Sequence, residues 1–434
     1  MLRQLRLTPP NLNRWRVYQN FDAAYWNQPK PGSPLNQAVA IGFATISARN
    51  RQKMQHQNIA PVVERTLLDL FRRSLSSEPR AHASDLSSDN WLALGQLAKL
   101  HGIVPWMLKN LPAPDISYLP ASLVSDWKAW EQKNRLRVLA NWAVAIRVLA
   151  ILGSAGVRAL PIKGVVLSQQ LYGSPWLRHA GDVDILIERG KVLDAHAAMS
   201  RSSLSPTDIY SNLSPNQWQW LLNNKYHTRY RDRGTGLWIE SHWRLHGEGL
   251  LNNLDESWIK MAEFTPIDVL GQKVYTLPNP ILYLLVMSHF ARSRWSRLIW
   301  LLDSWKALEA IRTTHQKAEL EACITMHGAE RIHNQFLSMV RQLFEDDSLC
   351  QWPPPNVGLP VRQARLLGAL RMDIRKIRLN LGMRGSLWYK LAVIKGLLID
   401  VRDFAVIRLP DWLFWLYVPL RIPLHIYRRY WRNG

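Results

Sequence analysis

Residues 181–188 read GDVDILIE, and this stretch decides the fold. Apolar side chains alternate with Asp182 and Asp184, and a period of two predicts a half-buried β-strand. Because positions i and i+2 of a strand point to the same side, the two carboxylates share a face. Without partners they would repel each other, whereas Mg²⁺, which prefers oxygen ligands, would neutralise them. The stretch therefore predicts a strand whose acidic face binds a divalent cation.

A strand-to-helix turn precedes this strand. The run VRALPIKG predicts a short strand that ends at Lys163 and Gly164, and VVLSQQLYG predicts a short helix. A glycine there lets backbone N–H groups approach a phosphate at the helix N-terminus, where Lys163 adds a positive charge. Arg178 is suited to bind a triphosphate through its fork of donors. The alternative is structural: Lys163 is a solvated strand end and Arg178 pairs with Asp182. Gly181 then only permits the tight entry into the strand.

A second acidic strand follows in YHTRYRDRGTGLWIESHWRLH (226–246), which predicts a β-hairpin with its turn at RDRGTG. Glu240 and His242 are two residues apart on its second strand, so they share a face. A site with two metal ions usually takes a third carboxylate from a neighbouring strand, and Glu240 fits that position. For His242 a substrate contact and a structural role are both open. His227, on the paired strand, is expected to be structural.

These motifs together resemble the polymerase-β-like nucleotidyltransferase superfamily. The usual superfamily pattern has Gly-Ser at the strand–helix turn, and this chain has Lys163-Gly164 instead. That departure resembles one poorly characterised bacterial branch, whose pattern is matched here by PIKGVVLSQQLYGSPWLRHAGDVDILI and WIESHWRLH. Two flanking helical stretches, NWLALGQLAKLHGIVPWMLKNL and YLLVMSHFARSRWSRLIWLLD, extend the resemblance over roughly residues 62–330.

The resemblance implies transfer of a nucleotidyl group from an NTP to a hydroxyl of a small molecule or a protein, with Mg²⁺ or Mn²⁺ as cofactor. It implies catalytic and metal-binding roles for Asp182, Asp184 and Glu240. The nucleotide-binding residues expected are Lys163, Gly164, Arg178, Gly181 and His242. Two alternatives stay open: an Asp-x-Asp glycosyltransferase that uses a nucleotide-sugar, and a degenerate nucleotide-binding or partner-binding module.

The remaining sequence patterns predict an α+β fold, a small mixed-sheet nucleotidyltransferase core flanked by N- and C-terminal helical regions. In the second helical region, His289 and Asp303 are expected on one helix, in a polar network of the core. A native start near Met54 is expected. The predicted regions are a disordered or loosely attached leader (1–61), N-terminal helices (62–150), the α/β core (151–278), C-terminal helices (279–350), and a linker with a basic, Trp-rich tail (351–434).

The composition bounds partners and location. A net charge of +22 favours a polyanionic partner, and no nucleic-acid recognition motif accompanies it. The two cysteines have no metal-type spacing, which is typical of a reducing compartment. Residues 1–60 lack the apolar segment of a signal peptide, and no apolar run is long enough to span a bilayer. A cytoplasmic protein is therefore expected.

The C-terminal tail has two interpretations. Residues 371–434 contain 13 basic and 4 acidic residues, and aromatic and apolar side chains are mixed among them. One interpretation is peripheral binding to the anionic inner surface of a membrane. The other is docking of the tryptophans and leucines onto the helical core. Pro410, Pro419 and Pro423 are expected to break any long helix, which favours docking.

Overall fold

The computed structural model describes most of the chain. The described residues are 61–75, 86–245, 250–251, 264–293, 295–344 and 381–430. The leader up to residue 60, the start near Met54 and the linker at 351–360 lie outside them. Those expectations, and the boundaries of the five regions, stay predictions.

The first part of the fold is helical. Residues 61–75 and 86–154 form α1 (Pro61–Arg73), α2 (Ser88–His101), α3 (Val104–Asn110), α4 (Ala113–Tyr118) and α5 (Ala121–Ser154). Ser87 caps α2, because its hydroxyl accepts a hydrogen bond from the Asn90 N–H. Gly102 closes the same helix in the left-handed conformation at φ 73°.

Helix α5 is long and apolar enough to cross a membrane by length and composition alone, and it is the single such helix among the described residues. It packs against β1 and β2 of the sheet and against several helices, and Val138, Val148 and Leu152 are buried there. These contacts are those of a core helix.

The second part of the fold is a mixed five-stranded sheet, as predicted. Its strands are β1 (Ala159–Pro161), β2 (Val183–Ile187), β3 (Leu204–Pro206), β4 (His227–Asp232) and β5 (Trp238–His242). They lie in the order β1-β2-β5-β4-β3, with β2 and β5 parallel and the other neighbours antiparallel. The predicted hairpin is β4 and β5. The helices between strands are α6 (Gly164–Tyr172), α7 (Val192–Ser200) and α8 (Pro215–Asn224).

Strand β2 is buried on both faces, so the prediction of a half-buried strand is wrong. Val183, Ile185 and Ile187 belong to one hydrophobic cluster, here named the sheet core, which includes one side of α5. Leu186 points the other way into a second cluster, named the helix core. Helices cover both faces of the sheet at this strand, and two-faced burial follows. Asp184 shares the Leu186 face.

A small hairpin and four helices form the third part. The elements are β6 (Thr265–Val269), β7 (Gln272–Thr276), α9 (Asn279–Arg292), α10 (Leu298–Glu309), α11 (Thr314–His327) and α12 (Glu330–Phe344). His289 and Asp303 lie on α9 and α10, so the expectation of one shared helix is wrong. Helix α9 ends before α10 begins, and Trp295 in the turn between them adopts a positive φ of 54°.

The N- and C-terminal helices share the helix core. Phe71 and Leu94 from the first part pack in the same cluster as Phe290 and Phe336 from the third. A buried polar contact also joins the two parts, because the Leu298 N–H donates to His101 Nδ1 over 3.2 Å.

The tail docks on both cores: Tyr389 and Val393 belong to the helix core, and Phe404 and Tyr417 belong to the sheet core. Its described elements are α13 (Leu387–Leu398), α14 (Val401–Phe404), a 3₁₀ helix (Asp411–Leu416) and α15 (Tyr417–Tyr430). The fully buried Tyr417 accepts a hydrogen bond from Gln217 on α8, 2.9 Å long, and Leu424 is also buried. Pro423 lies inside α15, so the expected break there is wrong. Burial of Tyr417 and Leu424 against the sheet core offsets the hydrogen bond that a proline cannot donate.

Candidate metal centre

The parallel pairing of β2 and β5 brings two acidic residues together. Asp184 on β2 lies directly opposite Glu240 on β5 in the register of the sheet. Side chains directly opposite on neighbouring strands share a face and lie close together. Both residues are buried, at 6 % and 8 % exposure. Two carboxylates brought together in this way need positive charge beside them.

His242 is the third member of this group. Its Nε2 lies 2.9 Å from Asp184 Oδ1 and 3.5 Å from Glu240 Oε2. One ligand atom from each of the three residues lies within 4.8 Å of the others, and all three residues are buried. Two carboxylate oxygens and an imidazole nitrogen at these separations form a donor set that fits a divalent cation.

The predicted metal set and the observed group differ in one member. Asp182, predicted as a ligand, lies just before β2 and outside the 4.8 Å group, whereas His242, predicted as a nucleotide contact, lies inside it. Asp182 is half-buried, and its carboxylate has no hydrogen-bond or ion-pair partner among the described residues. Burial raises the pKa of Asp182 to about 6, and the charges of Asp184 and Glu240 act in the same direction.

The strand-to-helix turn places Lys163 in the same cluster. Lys163 Nζ donates to Asp184 Oδ1 over 2.9 Å. Burial opposes the charge of this lysine, but Asp184 and Glu240 raise its pKa. Burial likewise opposes ionisation of Asp184, but Lys163 and His242 hold the pKa of Asp184 below its usual range. Lys163 therefore supplies positive charge to the acidic pair.

Gly164 opens α6 directly after Lys163. It adopts a left-handed φ of 61°, and a Cβ there would lie 3.4 Å from the Asp182 carbonyl oxygen. A side chain at this position would be strained by the backbone and crowded by the strand. The glycine thus keeps the N-terminus of α6 against the acidic strand, next to the carboxylates.

Arg229, which no sequence motif marks, is the second cation of the cluster. It lies on β4 directly opposite Glu240, and its guanidinium donates to Glu240 Oε1. Burial opposes ionisation of Glu240, but His242 and His227 hold its pKa below the usual range. His227 Nε2 is 3.8 Å from Glu240 Oε1, so it lies at the edge of the site. The register of the hairpin places Arg229 opposite Glu240, and that register can be predicted from the sequence only when the turn geometry is known.

Arg178 forms a separate network. Its Nε donates to Asp303 Oδ2 over 2.9 Å, and the hydroxyl of Tyr172 donates to Asp303 Oδ1 over 2.6 Å. The alternative that Arg178 pairs with Asp182 is therefore wrong in this structure. The expected polar network around Asp303 is present, but its partners come from α6 and from the loop that precedes β2.

His289 and Gly181 lie at the border of the site. Burial lowers the pKa of His289 well below its usual range, and the charge of Lys163 adds to this effect. The His289 ring packs edge-to-face on Trp300, with 4.9 Å between ring centroids. The carbonyl oxygen of Gly181 accepts a hydrogen bond from Arg137 Nη2, 3.0 Å long, which fixes the chain just before Asp182.

The comparison with protein families agrees with this geometry. A family model described as an uncharacterised nucleotidyltransferase matches residues 87–345. The chain belongs to this family. The match includes the turn at Lys163, both acidic strands and the helices on either side, and it confirms the resemblance drawn from the sequence motifs. No curated protein and no solved structure matches the chain.

Membership of this nucleotidyltransferase family and the Asp184–Glu240–His242 group together support a nucleotidyltransferase activity in general terms. They favour it over the nucleotide-sugar alternative, because the matched family is described as a nucleotidyltransferase family. The same observations fit a divalent cation as the partner of the carboxylates.

Proposed function

We propose that the protein transfers an NMP group from an NTP to a hydroxyl of an acceptor, either a small molecule or a protein. The observation that carries the proposal is the grouping of Asp184, Glu240 and His242 on two parallel strands, beside the N-terminus of α6. Membership of the nucleotidyltransferase family supports the reaction type.

The proposed cation site uses Asp184, Glu240 and His242, with Asp182 at its open side. The cation, Mg²⁺ or Mn²⁺, would supply positive charge for the phosphates and lower the pKa of the attacking hydroxyl. Lys163 already neutralises part of the carboxylate charge, and a cation bound there would take the place of the proton on His242 Nε2. The carboxylate of Asp182 has no hydrogen-bond or ion-pair partner among the described residues, so it is available to a cation in the site.

The proposed phosphate subsite is the turn into α6. Backbone N–H groups at a helix N-terminus bind anions, and Gly164 keeps that terminus clear of a side chain. Lys163 lies at the same turn and adds a point charge. Glu240, fixed by Arg229, is proposed to orient the acceptor hydroxyl. The proposed subsite does not include Arg178, because its guanidinium is paired with Asp303.

Transfer of label from each α-labelled NTP tests the proposal. The full chain is incubated with Mg²⁺ or Mn²⁺ and cell extract, labelled products are separated, and extract without the added chain gives the background. We expect one nucleotide to label an acceptor, and Asp184→Asn to reduce the rate by about 1000-fold or more, since it removes a charged ligand of the cation that would stabilise the reacting phosphates.

The matched control is Asp194→Asn on α7, which removes an exposed carboxylate away from the site. It is expected to label the acceptor at the wild-type rate. Labelling that survives Asp184→Asn would contradict the proposal. Binding of NTP without labelling of any acceptor would favour the degenerate binding module instead.

A further inference from the structure

The exposed apolar side chains of this protein concentrate in the tail. Among the described residues, 19 large apolar side chains are exposed, and 12 of them lie between residues 387 and 427. Trp388 is 81 % exposed and Trp412 is 76 % exposed. Apolar residues that occur singly on a surface need no explanation, but a concentration of this kind marks a surface that contacts something apolar.

Helix α13 carries the first part of this surface. Tyr389 and Val393 face the protein and are buried. At about 100° per residue, the exposed residues at 387, 391, 394 and 398 fall on one stripe that points away from them. All four are Leu or Ile. A helix on the surface of a protein in water normally turns polar residues outward, and α13 turns apolar residues outward instead.

A second stripe follows from the 3₁₀ helix into α15. Residues three apart eclipse each other in a 3₁₀ helix, which aligns Trp412 with Trp415. Val418 and Ile422 continue the apolar exposed positions along α15. The Arg421 guanidinium donates to the Leu397 carbonyl oxygen over 3.1 Å, so α13 and α15 are held side by side. The two stripes together are named the exposed tail face.

The charges around this face are unbalanced. Its carboxylates are used internally, because Asp400 and Asp403 pair with arginines of α14 and α15. Asp411 accepts hydrogen bonds from Ser214 and Asn216. In contrast, three cations have no ion-pair partner among the described residues: Lys390, Lys395 and Arg408. On the wheel of α13, both lysines flank the apolar stripe, one at each edge.

We propose that the exposed tail face binds the surface of an anionic lipid bilayer. The leucine, isoleucine and tryptophan side chains would lie at the boundary between headgroups and acyl chains, where Trp is favoured. Lys390, Lys395 and Arg408 would contact lipid phosphates, with the lysine stems along the apolar stripe. Charge complementarity selects this partner: a face with unpaired cations at its edges fits anionic headgroups, whereas the interface of two identical basic faces would bring like charges together.

Vesicle flotation of the full chain tests the proposal. The vesicles contain phosphatidylcholine alone or phosphatidylcholine with phosphatidylglycerol. We expect binding to the anionic vesicles that weakens as salt is added. Reversing Lys390, Lys395 and Arg408 to Glu should weaken binding about 100-fold or more. The double change Trp412→Ser and Trp415→Ser should weaken binding about 10-fold or more, because it removes two aromatic side chains that would be buried in the bilayer surface.

The control combines Leu92→Ser and Met326→Ser, which remove side chains of similar exposure outside the tail. It should bind as the wild type does, and thermal melting checks that each variant is folded. The proposal is overturned if anionic vesicles do not bind, or if both tail variants bind unchanged. It is also overturned if light scattering finds a dimer that both tail variants dissolve while vesicles bind none of the proteins.

Discussion

Two buried charged clusters lie near each other in this protein and differ in how their charges are matched. In the first, Asp303 receives hydrogen bonds from Arg178 and Tyr172, and the ion pair is only 10 % and 2 % exposed. In the second, Asp182, Asp184 and Glu240 meet Lys163, Arg229 and His242, and the carboxylate of Asp182 has no hydrogen-bond or ion-pair partner among the described residues.

The difference separates a structural network from a binding site. A buried carboxylate that is fully paired is satisfied in the folded protein and has no need of a ligand. A buried cluster with an unpartnered carboxylate stores unfavourable electrostatic energy that a cation can relieve. We therefore interpret the Asp303 cluster as structural and propose the Asp184 cluster as the functional site.

The largest effect on stability is expected when the closed cluster, Asp303 with Arg178 and Tyr172, is broken. Asp303→Ala leaves the Arg178 guanidinium buried without its partner and should lower the free energy of unfolding by about 3–5 kcal/mol. Urea unfolding measures this change, and Asp194→Ala on the surface is the control, with a change near zero. If Asp303→Ala lowers the free energy of unfolding no more than the control does, the interpretation of the Asp303 cluster as a structural network is wrong.

We call Asp182, Asp184 and Glu240 with their neighbouring cations the open cluster. Removing a carboxylate from it should change the free energy of unfolding in the opposite direction. The pKa of Asp182 is raised to about 6, so its charge is disfavoured in the folded state at neutral pH. In EDTA at pH 7.5, Asp182→Asn should raise the free energy of unfolding by about 2 kcal/mol. The gain should shrink as the pH falls below 6, where the wild-type carboxyl becomes protonated. A loss of stability at pH 7.5 would contradict the assignment.

His101 sharpens the comparison with a buried group that is kept neutral. Burial and the charge of Arg297 lower its pKa to about 4, from 6.5 in the unfolded chain. The unfolded state thus binds the proton first, so the stability this group contributes is complete above pH 6.5 and is lost as the pH falls toward 4. From this group we expect a loss of about 2 kcal/mol between pH 7.5 and pH 5. His101→Gln should remove that part of the dependence of the free energy of unfolding on pH. An unchanged pH dependence in His101→Gln would contradict the prediction.

The sequence predicts the acidic strands well because their signals are local. The alternation in WIESHW correctly puts Glu240 and His242 on one face, and the turn at Lys163-Gly164 is visible as a strand end and a helix start. The alternation in GDVDILIE predicts the strand but also includes Asp182, which lies just before it. The family resemblance rests on the same local stretches, and the family match confirms it.

The contacts that define the two clusters are not local. Arg178 and Asp303 are 125 residues apart in the chain. His242 reaches Asp184 only through the parallel register of β2 and β5, which no local pattern encodes. The break at Trp295 also escaped prediction, because the apolar periodicity continues on both sides of it. Tertiary packing decides these features, and propensity does not.

The most direct test of the central claim is a calorimetric titration of Mn²⁺ into the full-length protein at pH 7.5. The wild type and Asp194→Asn should bind the ion with equal affinity. Asp184→Asn should bind it at least about 10-fold more weakly, because it replaces a charged ligand of the proposed site with a neutral one. Equal Mn²⁺ affinity in the wild type and in Asp184→Asn would contradict the assignment of the open cluster as a metal centre.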